Sequence, residues 1–148
     1  MGIETEVTKN VFAERELIWE LLEDTSTWTS WWPDCVAVKT QDGKPLREGS
    51  QLELVVRPKR TKMTLRPVVD LCTEGKTLSL THRSAGIHST CVWQLTDRPE
   101  GVRLSAQIVF NGFVPFLITI AQQSSVVRFS LNNNLKGLKR AAERRGLE

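Results

Sequence analysis

Hydrophobic and polar residues first alternate along this chain, then step by three and four, then alternate through a long middle section. In residues 3–11, Ile3, Val7 and Val11 take one parity, and Glu4, Glu6, Thr8 and Asn10 take the other. That period of two predicts a strand with one wet face. Residues 13–23 change period. Leu17, Ile18, Leu21 and Leu22 form an i, i+3, i+4 stripe, with Glu14 and Glu16 where the helix dipole favours carboxylates. A short amphipathic helix is expected there. A Thr- and Ser-rich segment follows, and Pro33 forbids continuation, so a second short helix or turn is expected over residues 25–31.

From Val36 onward, alternating runs are divided by turn chemistry. The run 36–40 ends at Asp42-Gly43, a hairpin signal. Leu52, Leu54 and Val56 alternate with Glu53 and Arg57, and Pro58-Lys59-Arg60 reverses the chain. Met63, Leu65, Val69 and Leu71 read as one strand up to Glu74-Gly75. Leu78 and Leu80 begin the next strand, which turns at Ser84-Ala85-Gly86. A long strand over 87–95 closes at residues 97–101, and Val102, Leu104, Ala106, Ile108 and Phe110 mark the last. Spacings of about 8–14 residues predict a consecutive antiparallel meander. Residues 113–145 return to helical period through Phe113, Leu117, Ile120, Ser124, Val127, Leu131, Leu135, Leu138 and Ala142, predicting one long helix. Its first half is apolar beyond one stripe, adding Phe116, Ile118, Val126 and Phe129; its second half carries a basic exterior. Asn132-Asn133-Asn134 and Gly137 are poor helix formers that only packing would hold helical.

Strand, two short helices, six further strands and a long helix make an α+β order. With 148 residues, 40% of them apolar, the chain suits one domain burying a full core, with roughly 8,000 Å² left exposed. A net charge of +3 beside five Trp and five Phe excludes disorder. The longest apolar stretch, 113–121, falls short of the roughly 20 residues that span a bilayer. The polar N-terminus shows no export signal, and a cytoplasmic location is expected. Three cysteines without a CxxC pair argue against a disulfide framework or zinc finger. The two histidines have no metal spacing, and no P-loop, GxGxxG or GxSxG occurs, so no metal and no cofactor is expected.

The residues IWELLED at 18–24, Trp28, WWP at 31–33, VAVKTQDG at 36–43, REGS at 47–50, VWQL at 92–95 and NLKGLKRAAE at 134–143 carry a resemblance. Across essentially the whole chain the sequence resembles the START/Bet v 1-like (SRPBCC) superfamily, and within it the polyketide cyclase/dehydrase-like group. The resemblance implies a helix-grip fold: a curved antiparallel sheet of about seven strands wrapped around a long C-terminal helix, with two short helices after strand 1. It also implies an internal cavity for a hydrophobic molecule. It does not imply one reaction, because the superfamily includes carriers, sensors and cyclases.

Several residues then become candidates for contact with such a ligand. Trp28, Trp31 and Trp32 either plug the core or wall one end of the cavity, since aromatics give large contact area at little entropic cost. The apolar strand faces contribute Leu54, Leu65, Leu80, Trp93, Ile108 and Phe110. The over-hydrophobic helix start contributes Phe113, Phe116, Leu117, Ile120 and Ser124. His82 shares parity with Leu78 and Leu80, and is either a hydrogen-bonded core residue or a polar anchor or acid/base in the cavity. Thr90 and Ser124 are the other polar candidates. Binding or carriage of a lipid, quinone or polyketide-like aromatic is expected, with a cyclase or aromatase as the alternative. The basic run Arg57, Lys59, Arg60, Lys62 lacks aromatic interleaving, so nucleic acid is not expected; transient contact with an anionic membrane surface would suit a carrier. A monomer or a homodimer fits the sequence equally.

Overall fold

The switches of period fall on element boundaries. The computed structural model describes residues 2–58 and 60–147, so Lys59 of the basic run lies outside the described residues. Strand β1 (Gly2–Val11) leads into α1 (Arg15–Glu23), which buries Ile18, Trp19, Leu21 and Leu22, essentially the expected stripe. The Asp24 carboxylate accepts from the Ser26 N–H and opens a 3-10 turn at Thr25–Thr27, and α2 (Trp28–Trp31) follows directly. Then come β2 (Cys35–Thr40), β3 (Leu52–Val56), β4 (Met63–Leu65), β5 (Val68–Thr73), β6 (Thr77–Ser84), β7 (Ile87–Arg98) and β8 (Gly101–Gly112). Two helices, α3 (Val114–Gln122) and α4 (Ser124–Gly146), end the chain. The accessible surface, 8662 Å², is near the area expected from chain length.

Among the described residues there are eight strands, not seven, and they form two sheets. One has five strands in the order β1-β8-β7-β6-β5, the other three in the order β2-β3-β4. The extra strand arises at Pro67. Its missing N–H interrupts the ladder, and a run read as one strand becomes β4 in one sheet and β5 in the other. An Asp70 bulge between Val69 and Leu71 then shifts the parity. Leu71 is therefore exposed while Cys72 turns inward. The sheets join at the Gln51–Val68 bridge. Asp42-Gly43 is no two-residue hairpin, for β2 and β3 are joined by residues 41–51, where Asp42 binds Arg47 and accepts from the Lys44 N–H.

The C-terminal helix is also not one rod. It breaks at Gln123 (φ −110°, ψ 21°), where residues 121–125 are all exposed. No packing there holds two glutamines and two serines in helical geometry, and serine competes for backbone hydrogen bonds. Beyond the break, α4 buries Leu131, Asn134, Leu135, Leu138 and Ala142 along one stripe. Gly137 explains its own presence in this helix, because a Cβ there would lie 1.7 Å from the Trp31 carbonyl oxygen. Only glycine lets α4 cross the end of α2 so closely.

Candidate functional site

Residues opposite one another in an antiparallel ladder share a face, so the registers lay out the inner face of the five-stranded sheet in rows. One row runs Val7, Ala106, Trp93, Leu78 and Cys72. The next runs Thr5, Ile108, Cys91, Leu80 and Val69. The third runs Ile3, Phe110, Ser89 and His82. Burial declines across them. Val7, Ala106, Trp93 and Leu78 are buried, Thr5, Ile108 and Cys91 are half-buried, and every member of the third row is half-buried.

The first row lies under a closed end. Trp28 and Trp93 are fully buried with ring centroids 6.1 Å apart, and Trp32 lies 5.5 Å from Trp28 and 6.0 Å from Trp93. Trp31 stacks on Trp32. The indole N–H of Trp28 donates to the Leu22 carbonyl, that of Trp31 to the Thr27 hydroxyl, and that of Trp93 to Asn134 Oδ1 at 3.0 Å. Asn134 is the residue that sequence reading passed over, hidden in a run of three asparagines judged only as poor helix formers. Its Oδ1 must face Trp93, because an indole N–H only donates. That leaves the buried Nδ2 without a partner among the described residues.

Above the third row the roof thins. Leu117 is buried and Ile120 half-buried, while Phe113, Phe116 and Ser124 are exposed. Phe113 and Phe116 meet edge to face at 5.7 Å. The Phe113 N–H donates to the Gly86 carbonyl at 2.7 Å, which ties α3 to the β6–β7 turn. Leu54 and Leu65 face each other across β3 and β4, Leu54 buried and Leu65 half-buried. His82 Nδ1 accepts from the Arg66 backbone N–H at 3.1 Å, which puts the ring proton on Nε2. Thr90 falls on the opposite face of β7, not the apolar one. There its hydroxyl lies 3.0 Å from that of Thr81, which donates to Asp70. Cys91 shares the inner face, but burial pushes its thiol up to about 12, too high for a thiolate nucleophile near neutrality. Thr5, Ser89 and Ile3 were not among the sequence candidates, although strand parity alone assigns them to this face.

Two open depressions lie outside this region. One of about 400 Å³ is lined by Glu14, Arg15, Asp97 and Gly101, and one of about 160 Å³ by residues of the β2–β3 connection. An Arg15–Asp97 ion pair occupies the rim of the first.

A half-buried end, floored by the five-stranded antiparallel sheet and covered by a C-terminal helix that breaks at Gln123, is thus what the fold presents. The sequence matches, over residues 2–143, the family described as polyketide cyclase/dehydrase and lipid transport. The chain belongs to that family. Among solved structures, its fold is similar to that of the Zhui aromatase/cyclase from Streptomyces sp. R1128, with a TM-score of 0.79 and 18% identity. That match covers 98% of this chain and 96% of the other. The di-domain aromatase/cyclase StfQ from the steffimycin biosynthetic pathway gives a TM-score of 0.78 at 16% identity, over 100% of this chain and 53% of that one. A protein of unknown function from Staphylococcus aureus gives 0.78 at 9% identity, over 100% and 98% of the two chains. Sequence comparison with curated proteins finds no match. At these identities the neighbours show the helix-grip fold. Among the described residues, no helix is long and apolar enough to cross a membrane.

Proposed function

We propose that this member of the polyketide cyclase/dehydrase and lipid transport family binds a small hydrophobic molecule, such as a lipid, quinone or polyketide-like aromatic, between α3 and the outer two rows of the sheet. The observation that carries the reading is the burial gradient. Leu131, Leu135 and Leu138 are buried in the core, whereas Phe113 and Phe116 at the start of α3 are exposed, and Ile120 of α3 and Ile3, Ile108 and Phe110 of the sheet are only half-buried. Apolar surface left open on both floor and roof is stabilised by a guest that removes it from water. Native mass spectrometry of freshly purified protein is expected to retain an apolar adduct. Titration with fatty acids, quinones and anthraquinones is expected to give saturable quenching of Trp emission. Ile108→Trp, which fills the floor, should abolish that quenching while leaving the urea midpoint nearly in place; undiminished quenching would overturn the assignment.

The second reading, a cyclase or aromatase, is favoured by His82. With Nδ1 held by the Arg66 N–H, Nε2–H is free to donate to a substrate carbonyl from the rim of the same space. On this reading His82→Ala keeps binding and loses turnover of a poly-β-ketone mimic. Unchanged turnover removes His82 from the role.

A further inference from the structure

The strand directions gather three connections at one end of the molecule. Strand β3 runs antiparallel to residues 63–68, through pairs from Val56–Met63 to Gln51–Val68, so the turn at 57–62 begins that passage. β5 pairs antiparallel with β6, β6 with β7, and β7 with β8. The β6–β7 turn and the passage from β8 into α3 therefore fall at the same end as residues 57–62. Three independent features of this end point one way.

First, α3 has the sequence VPFLITIAQ, nine residues without a charge. Phe113, Val114, Phe116 and Ile118 are 60, 55, 46 and 54% exposed, and only Leu117 is buried. Monomeric proteins seldom leave such a run open without a use for it. Second, the end carries exposed Arg57, Arg60, Lys62 and Arg83, and among the described residues none of these four forms an ion pair. Glu4 and Glu6 of β1 lie on the outer face of the sheet, turned away from the helix side. Third, the basic and apolar parts are joined. Phe116 packs so tightly on the β6–β7 turn that a Cβ on Gly86 would sit 2.5 Å from its ring, and Gly86 also accepts the Phe113 N–H. Arg83 thus sits on the strand that ends in the turn α3 leans against.

We propose that this end is a docking surface for an anionic lipid bilayer, with α3 settling its apolar side chains among the acyl chains and the arginines and Lys62 meeting the headgroups. A protein partner would ask for shape and directional hydrogen bonds, whereas α3 offers fluid apolar contact on several sides, and unpaired basic groups suit a negatively charged surface. The surface stands whether the bound guest is a lipid or not. Docked in this way, the open rim of the sheet faces the membrane.

Co-sedimentation with vesicles tests the proposal. The full chain should sediment with vesicles containing phosphatidylglycerol, far less with pure phosphatidylcholine, and progressively less as salt is raised. Removing basic residues should weaken partitioning about five-fold each, so Arg60→Glu with Lys62→Glu should reduce it well beyond twenty-fold. Ile118→Asp should abolish sedimentation at unchanged circular dichroism and urea midpoint, since that side chain is already half in water. Wild-type sedimentation by Ile118→Asp, or equal binding to neutral and anionic vesicles, overturns the proposal. So does failure to bind anionic vesicles at low salt, even where an acidic protein is captured instead.

Discussion

Gly137→Ala tests the packing argument where it opposes intrinsic preference. In a free helix, alanine is better than glycine by about 1 kcal/mol, so propensity alone predicts stabilisation. Here the added Cβ would stand 1.7 Å from the Trp31 carbonyl oxygen, 2.9 Å from its carbon and 3.5 Å from Pro33 Cδ. The first two are backbone atoms and cannot rotate aside. Relief needs α4 to lift off α2 by more than 1 Å, roughly the shortfall from ordinary contact distance. That lift would loosen Leu135 and Leu138, both fully buried. Overpacking of a filled core costs about 1–3 kcal/mol. A clash with two backbone atoms belongs in the upper part of that range, about 2–3 kcal/mol, so the net effect after the propensity gain is destabilisation of about 1–2 kcal/mol, and more if the helix cannot shift as a body. Urea unfolding followed by Trp emission reads it directly, because Trp28, Trp31 and Trp32 sit at the contact. With a slope of roughly 2 kcal/mol per molar, the midpoint should fall by about 0.5–1 M. A midpoint unchanged or raised would refute the close approach of the two helices.

The remaining expectations concern the two halves of the C-terminal helix and one carboxylate. Leu135→Ala removes a fully buried side chain and should cost about 2–5 kcal/mol, whereas Ile120→Ala, half-buried over the open rows, should cost clearly less and alter ligand affinity instead. Equal destabilisation with binding untouched would place any ligand elsewhere. Partial burial works to raise the pKa of Glu143, but the Phe12 N–H and the Lys139 ammonium outweigh it and hold the carboxyl below its usual range. A depressed carboxyl stabilises the fold above its unfolded pKa, and that contribution fades as pH falls through the folded value. Melting temperatures of wild type and Glu143→Gln should therefore differ near neutrality and converge as pH falls below the ordinary carboxylate range; a constant gap across that span would contradict the pairing.

What the chain shows on its face and what it hides follow the reach of each signal. Periodicity is local, and it reveals α1, the long strands β7 and β8, and the buried stripe Leu131, Leu135, Leu138 and Ala142. It is blind to the bulge at Asp70, whose extra residue reverses parity without changing composition, so Leu71 read as inward and emerged exposed. It is equally blind to the helix break at Gln123, because Phe113 through Ser124 and Val127 keep stepping by three and four across a turn that nothing packs against. The Trp cluster was legible as a cluster, but its wiring was not. That Trp93 is held by Asn134 across the sheet–helix gap depends on two residues 41 positions apart.

Gly137 and Asn134 make the same point from opposite directions. Both weaken an isolated helix, and both are tied to a long-range partner: the glycine to the carbonyl of Trp31, the asparagine to the indole of Trp93. Propensity marks such positions as costs, and tertiary packing decides whether the cost is accepted. A residue that breaks the local rule inside an otherwise regular stripe is therefore the place to look for a contact that sequence spacing cannot name. By that rule the unbroken, uncharged run of α3 is the opposite case. Nothing in its local pattern is strained and its side chains are simply left in water; on the docking proposal it is the bilayer that would take them up.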